Sequence, residues 1–518
     1  MAVRACLGAA TLLAVLAAGP ALGAGPGRTD DEHKKKAEAM AAKAIAFLRA
    51  RQDPATGGWG VPPPDSGRPA FPAVTALVLA GMVHDRVTAP VVPPTDPAAR
   101  RGLDYLLGHA GPDGGIYDRL LPSYNTAISL SALVKFADDD RAAAAARLAR
   151  AFLYGLQWGE TADERPEGAE SAKAVGKDHP FYGGVGYGQH GRPDLSNLAF
   201  FLQAMHDAGV PSDDPAFARA LVFLARVQMD DAVNDLAYAD GSRQGGFIYA
   251  TSAGREAAGE GQSFAGMTEE TLDDGTRVSR LRAYGSMTYA GFKSLAYAGL
   301  GPDDPRVRAA ERWIARNYSV TENPGLGTDG LYYYYLVFAR ALDARGNAWV
   351  VPAPAAERVV VVGGLDEADR GVVETIAERD GRVLVWSGGQ DERAEGGRET
   401  SVRPTDGANV PAASSKAPGV FLEMRSGEEA RAAAGAIAIW AGERRGSAVA
   451  AVVWDGTGAA PEALRGRLGR DWGNDLIDRL AELQKEDGSF TVVDERWMEN
   501  DPVLITAYAL IALREAMD

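Results

Sequence analysis

The stretch HGRPDLSNLAFFLQAM, residues 190–205, places several polar side chains just before and within the first turn of an apolar helix. Asp194 and Asn197 are three residues apart and would share one face of that helix, with His190 shortly before it. A carboxylate, an amide and an imidazole close together could transfer a proton or bind the polar group of a ligand. Asp194 is the candidate catalytic acid, although capping the helix N-terminus explains an aspartate at this position equally well.

Other polar and aromatic residues also stand at or near the predicted starts of apolar helices. If those helices run parallel in a ring, their N-termini meet at one mouth, where backbone N–H donors and partial positive charge would also face a ligand. A polar rim above an apolar shaft is typical of a site for a ligand with a polar head and an apolar or extended body. The further ligand-binding candidates are Tyr124, Asn125, Tyr187, Tyr284, Tyr289, Asp329, Tyr332 and Trp497.

Structural roles compete with ligand binding at several of these positions. Asp329 and Asp501 precede helical segments, where an N-cap role is the favoured interpretation. The tyrosines of LYYYYLVF, residues 331–338, recur at helical spacing and favour packing within the core. His190 lies beside a glycine-rich turn and could equally form hydrogen bonds within it.

A helical unit that recurs about six times carries these residues. Each unit has an amphipathic helix, a turn with glycine and an aromatic residue, and a second helix rich in Ala, Leu and aromatic residues. An amphipathic helix exposes one face to water, whereas a helix that is apolar on nearly all sides must be buried. Paired helices of this kind stack into a solenoid or close into a ring. The segments around the turns span 47–60, 109–118, 182–188, 243–250, 323–335 and 480–492.

A recognisable order of residues recurs in these segments, as in FLRARQDPATGGWG at 47–60 and LAELQKEDGSFTV at 480–492. Aliphatic-x-x-x-Gln followed by Gly-x-aromatic resembles the prenyltransferase/squalene oxidase repeat of squalene and terpene cyclases and of protein prenyltransferase β-subunits. The resemblance covers about 37–345 and 470–517. It implies a mainly α fold, an (α/α)6 toroid of about six helical hairpins. It bears on fold more than on function, because function depends on sites placed on a fold.

The acid motif of the cyclases is degenerate in this chain. The family motif is Asp-x-Asp-Asp, and the segment RPDLSN stands in its place. Asp194 matches the first aspartate, Ser196 replaces the catalytic middle one, and Asn197 replaces the last. A protonated carboxyl group can protonate an alkene, but a serine hydroxyl cannot, so the resemblance does not carry over the usual cyclase chemistry.

The zinc ligands of the prenyltransferases are also missing. In TDGLYYYY, Asp329 matches the family's aspartate, whereas Leu331 stands in place of the ligating cysteine. In the last helix, Ile505 stands where the ligating histidine would be. The thioester domains of complement-like proteins, a third class of toroid, require a cysteine, and the predicted mature chain has none. We therefore expect no bound metal and no cofactor.

The first 24 residues have the features of a signal peptide. MAVRACLGAATLLAVLAAGPALGAG has one positive charge at Arg4, an apolar run over 7–18 and small residues around 21–24. The apolar run is short for a membrane span, so we expect it to be cleaved and the mature chain to be periplasmic or secreted, without a transmembrane segment. Cys6, the only cysteine, lies in this leader, so the mature chain would have no disulfide or thiolate nucleophile.

The overall charge restricts the partners. Formal net charge is -16 and the isoelectric point is near 5.0, which argues against a nucleic-acid partner because the phosphate backbone would be repelled. Hydrophobic residues make up 46% of the chain and charged residues 24%, a composition typical of globular proteins.

The helical pattern is interrupted before the last hairpin. We predict hairpins one to five over 37–349, an α/β insert over 350–465 and the last hairpin over 466–518. Strand-like and helix-like segments alternate in the insert, but it contains no phosphate-binding glycine motif. The insert could cover the mouth of the ring or bind a protein partner.

Three functions remain open on these grounds. The favoured one is an exported toroid that binds an isoprenoid-like or glycan ligand at the mouth, or a protein partner through the insert, without standard cyclase or prenyltransferase catalysis. The second is a terpene-cyclase-like enzyme that uses Asp194 as a displaced acid. The third is a secreted glycan lyase, since Tyr187, His190 and Asn197 include the residue types that β-elimination of uronates requires.

Overall fold

The protein is mainly helical in a computed structural model, as the sequence predicts. The structure describes 29–84, 89–160, 174–188, 192–254, 259–272, 274–346, 349–350 and 470–517, and five short strands between 350 and 470. The predicted signal peptide and His190 lie outside the described residues. None of the helices in the described ranges combines the length and the hydropathy needed to cross a lipid bilayer.

Twelve α-helices in the described ranges follow one another in the order of six helix–turn–helix units, and each such consecutive pair is called a hairpin here. The first helices of the hairpins are α1 (Asp31–Ala50), α3 (Pro97–Leu107), α5 (Asp140–Tyr154), α7 (Pro215–Val227), α9 (Pro305–Asn317) and α11 (Trp472–Leu483). The second helices are α2 (Pro72–Met82), α4 (Pro122–Leu133), α6 (Leu195–Asp207), α8 (Gly285–Tyr297), α10 (Leu331–Ala344) and α12 (Pro502–Ala516).

The second helices form the core, as their composition predicts. Every residue of α4 except Tyr124 is buried, whereas α3 buries only one face. The second helices contact one another in order: α2 packs against α4, α4 against α6, α6 against α8, α8 against α10, and α10 against α12. Because α12 also packs against α2, and α1 against α11 and α12, these contacts form a closed cycle.

The described strands are short and pair in antiparallel fashion. β1 (Met267–Thr271) and β2 (Arg277–Leu281) form a hairpin before α8, and β3 (Trp349–Val350) pairs with β9 (Arg470–Asp471). Between them, β8 (Ser447–Trp454) pairs with both β4 (Val359–Val362) and β7 (Ile439–Arg444), and β5 (Leu384–Trp386) pairs with β6 (Glu399–Ser401). These strands lie in the predicted insert, whose other residues are outside the described ranges, so its α/β class stays a prediction.

A glutamine at the end of the first helix links four of the hairpins to the hairpin that follows. In the fourth hairpin, the Gln228 side chain donates through Nε2 to Gly245 O in its own turn (2.8 Å) and to Arg306 O in the next first helix, α9 (2.8 Å). Gln52 and Gln157 make the same pair of bonds to α3 and α7. The turn of each of these hairpins is therefore tied to the helix beside it.

The same link joins the last hairpin to the first. Gln484 Nε2 donates to Met40 O of α1 (2.9 Å) and to Gly488 O (3.3 Å). Gly488 has φ of +87° and lies so close to α1 that an added Cβ would be 2.2 Å from Lys43 O. Glycine is required there for its conformation and for its lack of a side chain.

Replacing Gly488 with alanine tests the close approach of the last hairpin to α1. Gly275, at the tip of the β1–β2 hairpin, is a matched control because its φ is +83° and nothing lies within 4 Å of an added Cβ. We expect Gly275→Ala to lower the free energy of unfolding by about 1 to 2 kcal/mol, the cost of the left-handed backbone. Gly488→Ala should cost roughly 1 to 3 kcal/mol more, because the clash with α1 is added. Equal losses in chemical denaturation would contradict this packing.

Candidate functional site

A cavity of about 520 Å³ opens at the N-terminal ends of the second helices. All six second helices contribute side chains to its lining, together with residues from the preceding turns. None of the described residues that line it carries a charge. The lining consists of Phe71, Ala73, Val74, Leu77, Leu121, Tyr124, Asn125, Ile128, Tyr187, Ser196, Tyr249, Phe264, Tyr284, Ser286, Met287, Tyr333, Trp497, Met498, Leu504 and Tyr508.

The structure brings five of the predicted ligand-binding residues together in this lining. Tyr124, Asn125, Tyr187, Tyr284 and Trp497 come from positions up to 373 residues apart in the chain and share one cavity. The reason is the one used for the prediction: parallel helices that contact one another in a cycle place their N-termini at the same end.

The structure places three other predicted residues away from the lining. Tyr289 is completely buried, and its ring packs against those of Tyr334 (5.6 Å between centroids) and Phe338 (4.9 Å). Tyr332 is also buried, and its hydroxyl donates to a turn carbonyl 2.6 Å away. Asp329 forms an ion pair with Arg496. These three residues therefore stabilise the walls rather than face the cavity.

Asp194 lies behind the wall of the cavity and caps α6. Its Oδ1 accepts a hydrogen bond from Asn197 N (2.9 Å) and its Oδ2 accepts one from Asn197 Nδ2 (2.8 Å). Both residues are 0% exposed. Burial raises the pKa of Asp194 to about 6, against the opposing effects of the Asn197 hydrogen bonds, the positive charge of Arg192 and a hydrogen bond from Tyr249. The Asp194 carboxylate is therefore separated from the cavity by the residues around it.

Tyrosine and serine hydroxyls form one side of the cavity. Ser196 hydrogen-bonds the hydroxyls of Tyr124 and Tyr333, the second at 2.9 Å. The hydroxyls of Tyr187 and Tyr249 are 2.7 Å apart. Burial raises the pKa of Tyr187 to about 12 and raises those of the other three tyrosines, so these hydroxyls stay protonated and neutral near pH 7.

The first and second helices of the hairpins begin differently. Every first helix follows an aspartate whose side chain accepts hydrogen bonds from backbone N–H groups of the first turn. These N-caps are Asp30, Asp96, Asp139, Asp214, Asp304 and Asp471. Asp194 and Asp501 cap α6 and α12, but α2, α4 and α8 begin after Phe71, Leu121 and Tyr284, with no side-chain cap. These three residues, which hold N-cap positions without forming a cap hydrogen bond, all line the cavity.

The following hairpin satisfies backbone N–H groups at the starts of four second helices. The donors and acceptors are Ala73 N and Asn125 Oδ1 (2.9 Å), Ser123 N and Tyr187 O (3.2 Å), Leu195 N and Tyr249 O (2.8 Å), and Ser286 N and Asn323 Oδ1 (2.8 Å). The expectation that such groups are available to a ligand is therefore wrong at these positions.

A glutamate from the last hairpin caps α10. Glu499 is 1% exposed and accepts hydrogen bonds from Tyr332 N (3.1 Å) and Tyr333 N (2.8 Å). Burial raises its pKa to about 7, although these two hydrogen bonds act in the opposite direction. The predicted N-cap role of Asp329 is wrong, because α10 begins after Gly330 and its first N–H groups bond Glu499 instead.

Backbone strain is concentrated at the cavity. In the described ranges, three non-glycine residues have φ in the left-handed region: Leu121 (53°), Trp497 (55°) and Met498 (67°). All three line the cavity, and Trp497 and Met498 are 42% and 43% exposed. Arg496 stacks over the Trp497 ring at 4.4 Å from its centroid. Such strain costs roughly 1 to 2 kcal/mol per residue and is typical of ligand sites.

Sequence reasoning missed several residues of the site. Tyr333 could not be separated from its neighbours in the tyrosine run, because the rotation of α10 decides which side chain faces the cavity. Tyr508 is four residues after Leu504 on the same helix face, a spacing that was available as a signal. Glu499 and Tyr249 lie in loops, where no periodicity indicates direction. For Ser196, the sequence indicated only that a carboxyl group is absent, and not that its hydroxyl bonds the tyrosines of the cavity.

No protein-family model matches the chain, and a search of curated proteins finds no match. Within the described residues, no group of three or more His, Cys, Asp and Glu side chains is placed to hold a metal ion. The site must therefore be interpreted from its own geometry.

Replacing Asp194 with asparagine tests whether the buried carboxyl titrates as its surroundings indicate. The folded-state pKa of about 6 exceeds the ordinary value of 3.8, so the folded chain binds more protons than the unfolded chain between these values. Wild type should therefore gain up to roughly 3 kcal/mol of stability relative to Asp194→Asn as the pH falls from 8 to 4. Asp194→Ala, which also loses the cap, should be about 1 to 2 kcal/mol less stable than Asp194→Asn. If the difference in free energy of unfolding between wild type and Asp194→Asn stays constant from pH 8 to pH 4, the raised pKa of Asp194 is wrong.

Proposed function

We propose that the chain is an exported (α/α)6 toroid that binds a largely apolar, uncharged ligand at the mouth formed by the second helices. The closed cycle of contacts among these helices supports the ring, and so does the Gln484 link from the last hairpin to α1. The composition of the first 24 residues supports export.

The observation that carries the binding proposal is the lining of the cavity. A volume of about 520 Å³ falls within the range of small-molecule sites, roughly 300 to 1,000 Å³. At about 30 Å³ per water molecule, the cavity could hold roughly 17 waters, which corresponds to a ligand of moderate size. Nine aromatic side chains surround this space, and burying apolar ligand surface against them is favourable.

The same geometry favours binding without cyclase or prenyltransferase chemistry. Asp194 does not line the cavity, and Asn197 occupies both of its oxygens, so it is badly placed to protonate an alkene. Asp329 is engaged by Arg496, while Leu331 and Ile505 are buried apolar residues that cannot ligate zinc. The cavity is therefore aromatic and lacks the acid and the metal ligands of the families that the repeat resembles.

Filling the cavity tests this proposal. Ala73 lines the cavity at the start of α2, so Ala73→Trp should occupy part of the space, whereas Ala151→Trp adds the same side chain on the exposed face of α5. We expect the purified wild-type chain to bind a neutral pyrene derivative, followed by its fluorescence. Ala73→Trp should weaken that affinity roughly tenfold or more, and Ala151→Trp should leave it unchanged.

Two other outcomes would replace the proposal. Conversion of linear isoprenoids into cyclic products, with loss of turnover in Asp194→Asn, would establish the cyclase-like alternative. Ultraviolet absorbance from unsaturated uronate ends, after incubation with polyuronates, would establish the lyase alternative. Equal binding by wild type and Ala73→Trp would show that the cavity is not the site.

A further inference from the structure

The cavity that the proposed function uses has a polar side, which runs from α4 through α10 to α12, and an apolar side at α2. Hydroxyl groups come from α4, α6, α8, α10 and α12 and from the turns before α6 and α8. The part formed by α2 contributes only Ala73, Val74 and Leu77. A ligand that fits both sides must itself have a polar part and an apolar part.

Most of the hydroxyls on the polar side are bonded to one another. Tyr124, Ser196 and Tyr333 form one set, and Tyr187 and Tyr249 form a second set. Tyr284 and Tyr508 differ: both line the cavity, and neither hydroxyl has a hydrogen-bond partner among the described residues. Tyr284 is the more enclosed of the two, with only 2% of the residue exposed, so a partner for its hydroxyl must come from within the cavity.

Tyr284 stands at a helix start where its side chain is not needed as a cap. It is the N-cap residue of α8, where its side chain forms no cap hydrogen bond. Aspartate holds the corresponding position at all six first helices and at α6 and α12. At α8 the following hairpin supplies the acceptors instead, Pro324 O for Gly285 N and Asn323 Oδ1 for Ser286 N. The Tyr284 side chain therefore has no capping role, and its hydroxyl is available to a ligand.

We propose that the ligand carries a neutral oxygen function, an alcohol or a carbonyl, which the Tyr284 hydroxyl binds while the apolar part of the ligand lies against α2. This inference rests on the proposed function, because it assigns the ligand class of the same cavity.

The charge of the surroundings disfavours ionised ligand groups. No charged side chain lines the cavity among the described residues, and Arg496, which stacks over the lining residues Phe264 and Trp497, is already paired with Asp329. A carboxylate or an ammonium group would therefore lose its water with little counter-charge in return. Burial raises the pKa of Tyr284 well above its ordinary value of 10, so the hydroxyl remains a neutral donor near pH 7. A neutral acceptor oxygen is the group that such a hydroxyl can satisfy.

The test compares four pyrene derivatives that differ in one substituent: pyrenemethanol, methylpyrene, pyrenecarboxylate and pyrenemethylamine. Each is titrated into the full chain and followed by fluorescence. For wild type we expect pyrenemethanol to bind most tightly and the two ionised derivatives most weakly. Tyr284→Phe should weaken the binding of pyrenemethanol by roughly five- to tenfold and change that of methylpyrene less than about twofold, because only one hydrogen bond is lost.

Tyr289→Phe is the matched control. Tyr289 lies one turn further along α8, is also buried, and does not line the cavity. Its replacement should leave all four affinities unchanged. Thermal unfolding should show Tyr284→Phe to be at least as stable as wild type, because the hydroxyl that is removed has no partner in the protein.

The outcomes separate this inference from the proposed function. If methylpyrene binds as tightly as pyrenemethanol, or if Tyr284→Phe weakens both equally, the cavity binds apolar ligands and the assigned ligand class is wrong. Tightest binding of pyrenecarboxylate or pyrenemethylamine would also overturn it. If no derivative binds to wild type, the proposed function itself fails.

Discussion

A hydrogen bond from one hairpin to the next holds this structure together. At the end of four first helices, a glutamine amide bridges a carbonyl in its own turn and a carbonyl of the next first helix. The turns are close enough to the next helix that Gly183 and Gly488 could not carry a side chain. Gln484 makes this link from the last hairpin back to α1, so the bond joins the two ends of the chain of hairpins as well as three of the pairs between them.

The starts of the second helices depend on the same arrangement. First helices cap themselves with aspartate, but α2, α4 and α8 leave backbone N–H groups to acceptors of the following hairpin, and α10 leaves its own to Glu499. Because the neighbour supplies the acceptor, Phe71, Leu121 and Tyr284 can occupy N-cap positions and face the cavity. Packing of one hairpin against the next therefore removes the need for capping side chains at these positions, which can instead form the cavity.

The cavity is also where the molecule gives up stability. Three strained non-glycine residues of the described ranges and the buried carboxyls of Asp194 and Glu499 lie in its lining or directly behind it. Each of these features destabilises the folded state, whereas the packing of the helices against one another stabilises it. Such a distribution is expected when a rigid scaffold supports a binding site.

The sequence by itself determined the helical class, the recurring hairpins and the residues at the helix starts. These features depend on hydrophobic periodicity, glycine turns and local caps, which are properties of contiguous residues. That is why Tyr124, Asn125, Tyr187, Tyr284 and Trp497 could be named in advance. Only the tertiary structure decided which tyrosine of α10 faces the cavity, that Glu499 rather than Asp329 serves α10, and that Asp194 is shielded. Those outcomes depend on the rotation of each helix and on acceptors supplied by another hairpin, and neither is encoded in a local pattern.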